Sequence, residues 1–120
     1  MIGRRHLMEI KYKIWIEEKG KGIFGRGRDT ILNAVAKQHS LNAAAKELGM
    51  SYRAAWGRLK ASEERMDKKL VNTGINEKSL QITPRARAII ERFEILEKDV
   101  ENLLHTADQD FKRLFQDNEK

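Results

Sequence analysis

The sequence predicts a mainly α fold with a small β component (α+β): a winged helix-turn-helix, entered through an N-terminal strand or hairpin and left through a long C-terminal dimerisation helix. Three observations predict it. Ser40–Lys60 reads as a short helix, a turn at Gly49 and a second helix bearing Tyr, Arg, Trp and Lys. Two short β-prone stretches follow directly. From Pro84 onward, apolar residues then recur every seven positions.

The elements follow in order. Glu9–Glu18 alternates, with Ile10, Tyr12, Ile14 and Ile16 on one face, as in a half-buried strand. The glycine-rich stretch 19–27 predicts a turn or hairpin, with Ile23 and Phe24 as a short return strand. Arg28–Gln38 carries one apolar stripe (Ile31, Leu32, Val35, Ala36) and predicts the first helix. Ser40 caps the second, which turns Leu41, Ala44, Ala45 and Leu48 inward. Gly49 stands where a left-handed residue must turn the chain. Ser51 caps the third helix, Tyr52–Met66, with Ala55, Leu59, Ser62 and Met66 inward. Lys69–Thr73 and Ser79–Ile82 predict the wing. Thr83 and Pro84, the only proline, open the last helix. Its heptad places Ala86, Phe93, Val100, Ala107 and Leu114 at one seam position, and Ile89, Leu96 and Leu103 at the other until Asp110 breaks it. A single small domain cannot cover such a helix, so the expected interface of a homodimer is Ile89, Phe93, Leu96, Val100 and Leu103. The helix should reach about Leu104 and extend at most to Phe115.

Charge divides along the same line. Residues 1–82 hold 17 Lys and Arg against 9 Asp and Glu, a net +8; residues 83–120 hold 7 against 9, a net −2. The expected organisation is therefore a basic winged helix-turn-helix at 1–82 and a dimerisation helix with its tail at 83–120. A polyanion is the natural partner of the first part, and double-stranded DNA is the polyanion that a helix-turn-helix reads. Without cysteine there are no disulfides, cysteine-based zinc fingers or thiol chemistry. No apolar run suits a signal peptide or a membrane span, so a cytoplasmic, nucleoid-associated location without membrane is expected.

The run Ser40-Leu-Asn-Ala-Ala-Ala-Lys-Glu-Leu-Gly-Met-Ser-Tyr-Arg-Ala-Ala-Trp56, with Leu80-Gln-Ile-Thr-Pro84 after it, resembles the DNA-binding half of the ModE-type molybdate-responsive regulators, itself similar to the LysR-type winged helix. The Ser51-Tyr52-Arg53-x-x-Trp56 portion is the more specific part. The resemblance implies a dimeric prokaryotic transcriptional regulator whose entry strand and last helix build the dimer. Two departures stand out. The wing segment Thr73–Lys78 holds one glycine where that family has several. Full-length members also carry C-terminal molybdate- or tungstate-binding domains, which 106–120 cannot form, so oxyanion sensing is not expected of this chain.

The candidate DNA-binding residues are Ser51, Tyr52, Arg53, Trp56, Arg58 and Lys60 on the third helix and Lys78 in the wing. Arg53 suits a bidentate contact to guanine, Tyr52 a phosphate or a thymine methyl, and Arg58 and Lys60 phosphates. Gly57 would let the helix approach a duplex closely. Trp56 has two roles open to it, in the core or against DNA. Lys21, Arg26 and Arg28, and likewise Arg85, Arg87 and Arg92, are either backbone contacts or solvated charges.

Other functions find less in the residues. Gly20-x-Gly22-x-x-Gly25 spells a dinucleotide fingerprint, but two helices follow it instead of a βαβ unit. His6, His39 and His105 lack metal spacing, and no nucleophile, base or paired carboxylate is evident, so neither enzyme activity, metal nor cofactor is expected. The alternatives are a winged-helix protein-interaction adaptor, disfavoured by the charge split, and a molybdate or tungstate sensor; no small-molecule effector site is evident.

Overall fold

The computed structural model describes residues 8–73 and 79–116. In chain order they form β1 (Trp15–Glu18), β2 (Lys21–Gly25), α1 (Arg26–Gln38), α2 (Leu41–Glu47), α3 (Tyr52–Met66), β3 (Val71–Thr73), β4 (Leu80–Ile82) and α4 (Pro84–Phe115). This is the expected winged helix-turn-helix with an entry hairpin and a long last helix. The described chain divides into two compact units. One is Ile14–Glu94; the other joins residues 8–13 with 95–116.

In the first unit, the entry strand is shorter than alternation predicts. Only Trp15–Glu18 pairs, antiparallel to β2. Gly25 already faces Trp15, and α1 starts at the next residue, so the hairpin offers residues 9–14 no ladder. The inner face is correspondingly incomplete: Ile14 packs on the core while Ile16 is 40% exposed. Lys19 and Gly20 join the strands with φ of 53° and 80°, as a two-residue type I′ turn requires. A register shift opposite Ile16 and Glu17 leaves Ile23 as an extra residue in β2, and Ile23 and Phe24 both pack on the core.

Local chemistry sets the helix ends. Ser40 Oγ accepts the Ala43 N–H at 3.1 Å, and Ser51 Oγ accepts the Ala54 N–H at 3.0 Å. At Gly49 φ is +67°, and the Gly49 and Met50 amides bond back to Lys46 and Ala45 carbonyls. A Cβ at Gly49 would meet no atom within 4 Å, so the turn demands glycine for its dihedral rather than for space. Helix α1 begins at Arg26, two residues earlier than its apolar stripe predicts.

The core gathers Leu32 and Val35 of α1, Ala44 of α2, Ala55 and Leu59 of α3, and Leu70 before β3. The first turns of α4 add Ala86, Ile90 and Phe93. Phe93, expected on the dimer seam, is only 2% exposed and meets Phe24 edge-on with ring centroids 5.1 Å apart. The heptad continues into α4's first turns, but there its apolar face is satisfied by the subunit itself. Ile89 is half-buried against the same core.

The wing pairs Val71 with Ile82, Asn72 with Gln81 and Thr73 with Leu80. Its base is tied down twice. Thr83 Oγ1 donates to the Lys69 carbonyl at 2.9 Å while accepting the Ala86 N–H at 3.0 Å, and the Leu80 N–H donates to the His39 carbonyl at 2.9 Å. Residues 74–78, with the candidate Lys78, lie outside the described residues.

In the second unit, helix α4 runs on to Phe115, its 32 residues spanning about 48 Å at 1.5 Å per residue. Ile10 and Tyr12 line a groove with Leu104 and His105. Leu103, Leu114 and Phe115 are 70%, 77% and 62% exposed. Among the described residues no helix is long and apolar enough to cross a membrane.

Candidate nucleic-acid interface

Helix α3 buries Ala55, Leu59, Ser62 and Glu63. At 100° per residue Gly57 lies opposite that face, and the half-buried Ala54 and Ala61 flank it on one side, so that three small residues form a strip at i, i+3 and i+7. Gly57 is exposed, and a Cβ added there would meet no atom within 4 Å. This smooth strip has a basic border on each side: Arg53 and Lys60 on one, Arg58 and Arg65 on the other. Glu64 lies at the C-terminal end of the strip, which leaves the N-terminal half of the strip as the part suited to approach the base edges.

The candidate residues fall into two groups. Ser51, Tyr52, Arg53 and Arg58 are exposed. Trp56 is half-buried, with one side packed against the core, so it contributes to packing while leaving part of its ring outside. Tyr52 stacks on it with centroids 6.4 Å apart and planes at 11°. Lys60 is more constrained than a free phosphate-seeking lysine. Its Nζ lies 4.4 Å from the Trp56 ring centroid and donates to Glu63 Oε1 at 2.9 Å. Tyr52, Trp56, Lys60 and Glu63 therefore form one connected row along α3.

Glu63 is the residue sequence reasoning missed. Its Oε2 accepts the Leu70 N–H at 2.7 Å and the Val71 N–H at 3.2 Å, at the start of the wing. Burial pushes its pKa up, but these two amides and the Lys60 ammonium outweigh burial and hold it below the usual carboxylate value. A signal was available: Glu63 lies on the stripe of Leu59, Ser62 and Met66, and a charged residue at a core position needs buried partners. Arg28 is similarly informative. Its Nε donates to Ser62 Oγ at 2.9 Å, joining the N-terminal turn of α1 to α3.

The layout of α2, α3 and the wing has a counterpart among known proteins. Residues 30–87 match the family model described as bacterial regulatory helix-turn-helix protein, lysR family. This segment is similar to the LysR-type helix-turn-helix. Solved structures share its fold. A DNA complex of the CbnR DNA-binding domain superposes with a TM-score of 0.55 at 19% identity, covering 76% of this chain and 99% of that one. The BenM DNA-binding domain on benA site 1 DNA gives 0.56 at 16% identity, covering 72% and 94%. DarR of Vibrio fischeri in complex with DNA gives 0.55 at 17% identity, covering 72% of this chain and 29% of that longer one. No curated protein sequence matches the chain significantly. The matched segment contains all of α2, α3, β3 and β4 and the first four residues of α4. The entry hairpin and the remainder of α4 lie outside it.

Proposed function

We propose that this chain is a DNA-binding transcriptional regulator that reads a sequence by inserting α3 into the major groove. The observation that carries the reading is the outward side of α3: an exposed Gly57 between basic borders, on a helix that Ser51 caps within a segment similar to the LysR-type helix-turn-helix. Proteins similar to it in fold are, by their descriptions, bound to DNA. Arg53 is the proposed base reader, Tyr52 and the outer edge of Trp56 its neighbours, and Arg58 a phosphate contact. Lys60 would have to share its ammonium with Glu63. Residues 1–82 form the proposed DNA-binding part and 83–120 the dimerising part. The dimer surface is the portion of α4 whose apolar residues the subunit leaves open, Leu103 and Leu114 above all, with Leu96 and Val100 beside them. The Ser51-Tyr52-Arg53-x-x-Trp56 run supports a ModE-like, prokaryotic and cytoplasmic member of the LysR-like group.

Binding to genomic fragments by fluorescence anisotropy, at two salt concentrations, tests the reading. Enrichment of particular fragments with affinity that falls steeply with salt is expected. Arg53→Ala should reduce discrimination between enriched and random fragments by about 1–3 kcal/mol. Equal affinity of the unaltered protein for every fragment would remove sequence reading from α3.

A further inference from the structure

Three arginines gather along the flank of α3 away from Arg53. Arg58 and Arg65 lie on that helix at i and i+7, with the fully buried Ser62 between them. Arg28 reaches them from α1 through its 2.9 Å bond to Ser62 Oγ. Arg65 Nη1 donates to the Gly22 carbonyl of β2 at 2.7 Å, which fixes it over the same corner. Among the described residues, none of the three is within ion-pair distance of a carboxylate. Burial first, then the charges of Arg65 and Arg58, lowers the pKa of Arg28. Concentrating like charge in this way opposes folding and leaves most of the N–H donors of three forked groups unused.

We propose that Arg28, Arg58 and Arg65 together hold a phosphate of the DNA backbone, clamping the strand that borders α3 on the side opposite Arg53. The assignment rests on the DNA-binding reading above. A helix with its side chains is about 10–12 Å across and the major groove is about 12 Å wide, so both flanks of an inserted helix come close to sugar-phosphate chains. Guanidinium forks match the tetrahedral oxygens of a phosphodiester, and an oxyanion supplies the counter-charge that this corner lacks. The clamp carries no base information and acts on every sequence alike.

Salt titration of DNA binding tests it, comparing the full chain with Arg58→Gln and Arg58→Glu on an enriched and a random fragment. Arg58 makes no hydrogen bond or ion pair to the rest of the described chain, so neither change disturbs the fold, and both relieve repulsion on Arg28. Arg58→Gln should weaken both fragments equally, about three- to tenfold, and lower the slope of log affinity against log salt by about one. Arg58→Glu fills the corner with an internal carboxylate; the thermal midpoint should rise while binding to both fragments falls further. Unchanged slopes for both variants overturn the clamp and leave the DNA-binding reading standing. Absence of DNA binding by the unaltered protein overturns both. Inorganic phosphate supplies the last arm: thermal stabilisation that Arg58→Glu abolishes, combined with unchanged DNA slopes, would assign the corner to a free oxyanion and overturn the backbone clamp.

Discussion

Single residues on α3 divide into those that hold the fold and those that face outward, and Glu63 and Gly57 stand at the two extremes. Glu63→Ala would leave the Leu70 and Val71 amides without their acceptor at a buried site, at a cost of about 2–4 kcal/mol. Glu63→Gln keeps the shape but loses the charge, and should cost about 1–2 kcal/mol in chemical denaturation. Because the folded protein holds this carboxyl below its unfolded pKa, the contribution is fully present above about pH 4.3 and is lost as pH falls through the lower folded value. Stability of the unaltered protein should therefore fall more steeply with acid than that of Glu63→Gln; parallel pH curves would show that the charge is not used. Gly57 behaves in the opposite way. The fold leaves open space at its Cβ and has no positive φ there. Gly57→Ala should stabilise the helix by about 0.5–1 kcal/mol. The same methyl should weaken DNA binding if this strip approaches the bases. A variant that is more stable and binds DNA as well as before would remove Gly57 from the contact surface.

At the scale of elements, the boundaries written in local chemistry were legible. Ser40, Ser51 and Gly49 mark the ends of α2 and α3 because caps and left-handed turns depend on the few residues around them. Thr83 has a second role that local pattern could not reveal: its hydroxyl joins the start of α4 to Lys69 at the base of the wing. Thr83→Val should lose both bonds and destabilise the protein by about 1–2 kcal/mol in thermal or urea unfolding, where an ordinary cap would account for about 1. The entry strand shows the reverse limit. Alternation over Glu9–Glu18 is real in the sequence, but a strand needs a partner of matching length, and β2 stops opposite Trp15. Period does not tell which subunit satisfies each apolar position: Phe93, which the heptad places on the dimer seam, packs against Phe24 of its own chain.

For the whole molecule, the two units impose different demands. Ile14–Glu94 closes its own core, whereas the end of α4 presents Leu103, Leu114 and Phe115 to solvent. Exposed leucines at heptad spacing are costly unless a second copy covers them. Leu103→Glu should convert the proposed dimer to a single chain by light scattering and reduce affinity for a two-half-site DNA by about a hundredfold or more, through loss of linkage between the two proposed reading heads. Retained dimer mass in that variant would place the interface elsewhere. Such a change should leave the melting of the α1–α3 core nearly unaltered, since Leu103 lies outside it.

The helix-turn-helix, its caps, the wing and the basic bias of 1–82 followed from the amino-acid sequence alone, because each depends on short-range spacing or on summed charge. Tertiary structure alone decided that Glu63 anchors the wing, that Lys60 is drawn inward to it, that Phe93 belongs to its own subunit, and that Arg28, Arg58 and Arg65 share one corner. The reason is physical: these outcomes depend on which distant segment fills the space beside a side chain, and periodicity along the chain carries no information about that neighbour.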